Sequence, residues 1–236
     1  MVFKELYAAW KKKGLLSQVM EELNSMFDED LQMYQSSIKA LFEGNNAKVD
    51  IYEMDKEVNT YEMKIRKKVL EHLSISACQD VTDSLLLIGI ARDTERIGDF
   101  CKNIYELSYL YGKPLESGKY VVRLIKATQQ LEEMFELTKK AFSGNDEKAA
   151  KKVIELHKDK MAFELSKMTE DIMNDKMDAK KAVTCTLASR FLKRISAHLF
   201  GICGAILNPF DRIRGRVADV SLIPQKNVPA WKLKKK

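Results

Sequence analysis

Ile90-Ala91-Arg92-Asp93-Thr94-Glu95-Arg96-Ile97-Gly98-Asp99-Phe100-Cys101-Lys102-Asn103-Ile104 combines a regular apolar beat, a glycine in mid-run and closely spaced charges in fifteen residues. At about 100° per helical residue, Leu87, Ile90, Thr94, Ile97, Cys101, Ile104 and Ser108 fall along one stripe. Glu95 and Asp99 project opposite Ile97, so the two carboxylates are expected on an outward face. Side chains one turn apart lie about 5–6 Å from each other, and like charges there repel. The pattern therefore calls for a cation or a basic side chain between them. Gly98 would cost about 1 kcal/mol relative to alanine inside a helix, and a close helix approach is the expected compensation.

The helical reading extends in both directions. Ser17 is the expected N-cap of a first helix in which Val19, Met20, Leu23, Met26, Phe27, Leu31, Tyr34, Ile38, Leu41 and Phe42 recur at helical spacing up to Gly44. After a turn at Asn45 and Asn46, a second helix runs to about Leu73 on a seam of Ile51, Met54, Val58, Tyr61, Ile65 and Val69, with Asp55, Asn59 and Glu62 on one row beside it. The third helix, from about Asp80 to Tyr111, contains the opening stretch and is stopped by Gly112 and Pro114.

The plan then recurs. Residues 39–48, Lys-Ala-Leu-Phe-Glu-Gly-Asn-Asn-Ala-Lys, align with 139–148, Lys-Lys-Ala-Phe-Ser-Gly-Asn-Asp-Glu-Lys, with five identities that include Phe42 with Phe142 and Gly44 with Gly144. A fourth helix is expected from about Lys119 to Phe142, a fifth from about Asp146 to Asn174 and a sixth from about Ala179 to Leu207. Short connections favour antiparallel neighbours. The expected fold is all-α, six long antiparallel helices forming two related three-helix bundles. The corresponding divisions are an amphipathic lead-in at 1–14, a first repeat at 15–114, a second repeat at 115–208 and a basic tail at 209–236.

The second repeat keeps the helix and loses its carboxylates. Ser189 to His198 align with Ala91 to Phe100, which matches Arg92, Arg96 and Ile97 with Arg190, Arg194 and Ile195 but sets Lys193 opposite Glu95 and Ala197 opposite Asp99. Asp159 and Phe163 retain half of the Asp55–Asn59 pair. Any cation site is thereby expected in the first repeat alone.

Bulk properties exclude several classes. With 45% hydrophobic and 31% charged residues the chain can bury a proper core, and ten glycines with four prolines argue against a turn-rich sheet protein. No apolar run reaches the roughly 18–20 residues that span a bilayer, and the start lacks a secretory leader, so a cytoplasmic location is expected. Cys78, Cys101, Cys185 and Cys203 lack Cys-x-x-Cys spacing and read as ordinary thiols. The net charge of +6 resides in the tail, where residues 209–236 hold eight basic and two acidic side chains. The charge-balanced body is a poor nucleic-acid surface. Glu-x-x-His, P-loop, dinucleotide and serine-elbow motifs are all lacking, and His72, His157 and His198 show no ligand spacing, so no catalysis is expected.

The run Ala-Arg-Asp-Thr-Glu-Arg-Ile-Gly-Asp-Phe-Cys-Lys-Asn-Ile resembles the signature helix of the PhoU family of phosphate-signalling proteins, in which the Glu-x-x-x-Asp pair recurs around Arg-Ile-Gly. Asp55 and Asn59 resemble that family's companion motif. The resemblance implies a regulatory adaptor of phosphate homeostasis that contacts a phosphate transporter and a membrane sensor kinase. It also implies bound metal, iron or another divalent or trivalent cation, for which Asp55, Asn59, Glu95 and Asp99, with Glu62 beside them, offer the oxygen ligands that hard cations take. The alternative is that Glu95 and Asp99 pair with Arg92, Arg96 and Lys102 along an exposed helix, at about 0.2–0.5 kcal/mol per pair.

Other readings stay open at this level. Trp231, Lys232, Lys234, Lys235 and Lys236 would suit anionic lipid at the inner face of the membrane or an acidic partner, and equally a solubilising end. Phe3, Leu6, Tyr7 and Trp10 share a face that fits docking on the bundle or anchoring outside it. A structural or oligomerising bundle, a homodimer included, and an accessory subunit of a simple phosphate permease are the competing functions.

Overall fold

Runs rich in Leu, Met, Glu and Lys lose little side-chain freedom in a helix, and an apolar position every third or fourth residue leaves each helix with a stripe that only another helix can cover. The computed structural model describes residues 14–44, 49–75, 81–144 and 146–208. Six helices account for nearly all of them: α1 (Gly14–Glu43), α2 (Ile51–Ile75), α3 (Val81–Tyr111), α4 (Lys119–Gly144), α5 (Glu147–Glu155 and Ala162–Met173, joined by a π-helical segment, Leu156–Met161) and α6 (Ala179–Leu207). The expected lead-in, the Asn45–Asn46 turn, Cys78 and the basic tail with Trp231 and Lys232 to Lys236 lie outside the described residues.

The boundaries have local causes. Asp50 caps α2 by accepting from the amides of Tyr52 and Glu53 at 3.1 and 3.2 Å. Asp146 and Asp178 do the same for α5 and α6. Ser17 does not cap α1 as expected, because that helix already includes Gly14. Gly44 ends α1 at φ +89° and Gly112 follows α3 at φ +76°, a left-handed turn that favours glycine in both cases. The chain beyond α3 folds back on the end of α1, where the Leu115 amide donates to the Leu41 carbonyl at 2.9 Å.

Packing groups α1, α2 and α3 together and α4, α5 and α6 together, and the two groups meet chiefly through α3 against α6, with α1 against α4. Tyr34 and Phe27 of α1 pack with tilted rings against Phe135 of α4, and the Tyr34 hydroxyl donates to the Thr128 carbonyl at 2.9 Å. Phe100 of α3 meets Phe191 and His198 of α6. Fully buried side chains such as Leu16, Leu23, Ile51, Ile65, Leu131 and Leu192 each contribute about 1.5–3 kcal/mol. No helix among the described residues is long and apolar enough to cross a membrane.

The expected outward face of α3 is a second point of difference. The stripe Leu87, Ile90, Thr94, Ile97, Cys101, Ile104 and Ser108 is buried, but so are Leu86, Ala91, Gly98, Tyr105, Leu107 and Tyr111 around much of the circumference. With α1, α2 and α6 all packed on it, α3 is the central helix and has little outward face. Glu95 and Asp99 lie opposite Ile97 on the wheel, yet their side chains are only 15% and 27% exposed.

Candidate acidic site within the first three helices

Asp55 and Asn59 stand one turn apart on α2, Glu95 and Asp99 one turn apart on α3, and the pairing of these helices brings the two rows together. Lys102 joins them, its Nζ lying 2.7 Å from Asp55 Oδ2 and 3.4 Å from Asp99 Oδ1. The Asn59 amide donates to the Asp55 backbone carbonyl at 2.9 Å and to Asp55 Oδ2 at 3.3 Å, which fixes the Asp55 carboxylate. Arg96 reaches back to Glu95 at 3.3 Å and forward to Asp99 at 2.8 Å. Glu62, the next member of the α2 row, is buried and holds Arg66 at 2.6 Å. Arg92, expected among the pairing partners, is exposed.

A fifth carboxylate, which the sequence reading did not single out, comes from α1. Asp30 is fully buried, and neither of its oxygens has a hydrogen-bond partner. Burial, followed by the charges of Glu95, Glu29, Asp55 and Asp99, holds its carboxyl well above the ordinary Asp range. Glu95 is raised as well, by burial first and then by Asp99, against the opposing pull of Arg96. Burial works against the charge of Lys102, but Asp55 and Asp99 outweigh it and the ammonium pKa rises. The signal for Asp30 was in the chain: in a seam of Leu23, Met26, Phe27, Met33, Tyr34 and Leu41, position 30 falls where an apolar residue belongs.

Gly98 is explained by the same contact. A Cβ at this position would lie 2.8 Å from Asp30 Oδ1, with Val58 Cγ1 at 3.4 Å and Met33 Sδ at 3.6 Å. The close approach that the mid-helix glycine implied is real, and the approaching group is a carboxylate side chain of α1.

The side chains assembled here carry oxygen donors, the type that hard cations take, and the buried Asp30 carboxyl has no hydrogen-bond partner. As the side chains stand, Lys102 and Arg96 occupy these carboxylates. Among the described residues no three His, Cys, Asp or Glu side chains converge as metal ligands.

The second group of helices carries different chemistry at the equivalent places. Lys193, opposite Glu95, donates to Ser166 Oγ at 2.6 Å, and burial with Arg190 and Arg194 nearby lowers its pKa. Ser196, opposite Gly98, lies 3.0 Å from His157 Nδ1 in the π-helical segment. Asp159 and Phe163 are both exposed. His198 pairs with Asp93 at 3.0 Å across the α3–α6 contact.

A family model described as the PhoU domain matches residues 23–108 and 124–206. The phosphate-specific transport system accessory protein PhoU homolog 1 of Thermotoga maritima is 30% identical over 116 residues, 48% of this chain and 47% of its own length. The match thus spans about half the length of that curated relative. The crystal structure of PhoU from Pseudomonas aeruginosa shares the fold at a TM-score of 0.73 and 21% identity, over 86% of this chain and 98% of that chain.

Proposed function

Because the chain belongs to the PhoU family, we propose that it is a non-enzymatic regulator of phosphate transport and phosphate signalling. It acts as a cytoplasmic adaptor that contacts a phosphate transporter, a membrane sensor kinase or both, and thereby restrains uptake when phosphate is plentiful. The observation that carries this reading is the match of the family model to both helical groups, and the named relative is itself an accessory protein of a phosphate-specific transport system. His157 and His198 are engaged by Ser196 and Asp93, which suits helix-joining roles better than acid–base work.

Within this reading, Asp55, Asn59, Glu95 and Asp99 hold an iron or another hard di- or trivalent cation in the first repeat. The cation would supply positive charge that ties α2 to α3. Lys102 must leave Asp55 and Asp99 for this to happen. That observation favours a second reading, a metal-free bundle in which Lys102 is the built-in cation. Elemental analysis of protein purified without chelators separates the two: stoichiometric metal supports the first, and none bound even after reconstitution supports the second. The basic tail, with Trp231, Lys232, Lys234, Lys235 and Lys236, is proposed as a peripheral contact with anionic membrane or with the partner.

The regulatory reading is tested by deleting the gene and following radiolabelled phosphate uptake in replete medium, alongside affinity capture of the tagged protein. Uptake that escapes repression, with a transporter or sensor component recovered, is the expected result. Normal repression with neither component captured in replete or starved cells would sink it.

A further inference from the structure

Among the described residues three polar side-chain contacts join α5 to α6, and none contains a carboxylate: Thr169 Oγ1 with Ser189 Oγ at 3.3 Å, Lys193 Nζ with Ser166 Oγ at 2.6 Å and His157 Nδ1 with Ser196 Oγ at 3.0 Å. Lys193, in the middle, is half-buried, and its ammonium carries three donors but has one neutral partner. The Ser166 hydroxyl gives its own proton to the Ala162 carbonyl at 2.7 Å, so it offers Lys193 only a lone pair. Arg190 lies three residues before Lys193 and four before Arg194, which makes it the surface neighbour of both. Neither arginine has an ion pair among the described residues, and α6 carries no acidic residue from Ala179 to Leu207. The carboxylates of α5 that form ion pairs use other bases, Glu164 and Asp171 taking Arg123 and Glu155 taking Lys152, while Asp159 and Glu170 are exposed and form none. The first group of helices is built the opposite way. Glu62 and Glu95 hold the places of Ser166 and Lys193 there, and Arg66, Arg96 and Lys102 answer the carboxylates of that seam.

We propose that Lys193, Arg190 and Arg194 form a binding site for a dianionic tetrahedral oxyanion at the α5–α6 seam. Its oxygens take the two uncommitted donors of Lys193 and the guanidinium N–H groups of the arginines, hydrogen bonds between ions that are about twice as strong as neutral ones. Three cations crowded on little more than one turn repel one another, and an anion between them removes that repulsion. The site stands on this geometry alone. The choice of inorganic phosphate among such anions rests on the reading of the chain as a regulator of phosphate transport.

The test titrates the full chain with inorganic phosphate at constant ionic strength. Calorimetry reports binding, and the nuclear magnetic resonance signals of the His157 ring report its place, because that ring senses the charge of Lys193. Wild type is compared with Lys193→Met, Arg190→Gln and Lys140→Gln, the last removing an exposed charge on α4. Wild type should bind phosphate and shift the His157 signals. Affinity should fall about tenfold in Lys193→Met, severalfold in Arg190→Gln and not at all in Lys140→Gln. Methionine keeps the stem and removes the ill-answered charge, so Lys193→Met should fold. Should it fail to, Arg190→Gln, altered at an exposed side chain, carries the same test. No heat and unmoved His157 signals in wild type overturn the site, as does equal binding by wild type, Lys193→Met and Arg190→Gln. A loss in Lys140→Gln as large as in Arg190→Gln shows diffuse charge attraction and overturns it too. Sulfate binding as tightly as phosphate supports the oxyanion site and overturns phosphate as its particular ligand. None of these outcomes bears on the regulatory reading, which uptake and capture decide.

Discussion

Gly98 shows how one residue can be read correctly in kind and incompletely in cause. Glycine in mid-helix announces a close approach, but nothing within the helix says what approaches. Alanine at this position recovers about 1 kcal/mol of helix propensity. It also places a methyl 2.8 Å from the buried Asp30 carboxylate, a short side chain with few ways to retreat. Overpacking of this kind costs about 1–3 kcal/mol, so Gly98→Ala should lower the urea midpoint, and Asp30→Ala in the same background should return most of the loss. A midpoint at or above wild type for the single variant would refute the contact. Glu95 and Asp99 carry a similar lesson: position on the wheel was read correctly, and exposure was not.

At the scale of the element, α5 departs from the plan of α2. Its π-helical segment inserts an extra residue into the turn, and His157 there meets Ser196 Oγ at 3.0 Å and packs on Phe200 with ring centroids 4.9 Å apart. Burial, then Lys193 and Lys158, lower the His157 pKa to about 4. The folded protein therefore holds this ring neutral, whereas the unfolded chain protonates it below about 6.5. Its contribution is complete above that pH and is lost as pH falls toward the folded value, on the order of 3 kcal/mol across the window. His157→Gln should flatten the decline in stability between pH 7 and 4.5 in denaturant melts, and an unchanged decline would count against the neutral buried ring. The repeat alignment gave no warning of this segment. A single extra residue in a helix shifts register without changing composition, and the apolar beat on either side hides it.

For the whole molecule, two helical groups built on one plan carry unlike sites: crowded carboxylates in the first, Lys193, Ala197 and a histidine–serine pair in the second. Removing residues 209–236 takes away the whole +6 excess while leaving the described helices complete. At about 1 kcal/mol per basic residue near an anionic surface, the truncated chain should lose most of its binding to phosphatidylserine vesicles in flotation assays, and undiminished binding would take the tail out of any membrane contact. The helical class, the six helices, most of their ends and the recurrence of a three-helix plan were legible in the chain, because periodicity, capping residues and left-handed glycines act over a turn or two and need no partner to be recognised. Asp55 with Asn59 and Glu95 with Asp99 are visible as spaced pairs on their own helices, and Lys102 as a basic neighbour of Asp99. Tertiary structure alone decided that α3 is central, so that an apparently outward face is enclosed. It alone delivered Asp30 from a helix nearly seventy residues distant in sequence to the cradle at Gly98. The reason is physical: a local pattern specifies which face of a helix carries charge, whereas burial and the company a charge keeps depend on how many neighbours the other helices leave around it.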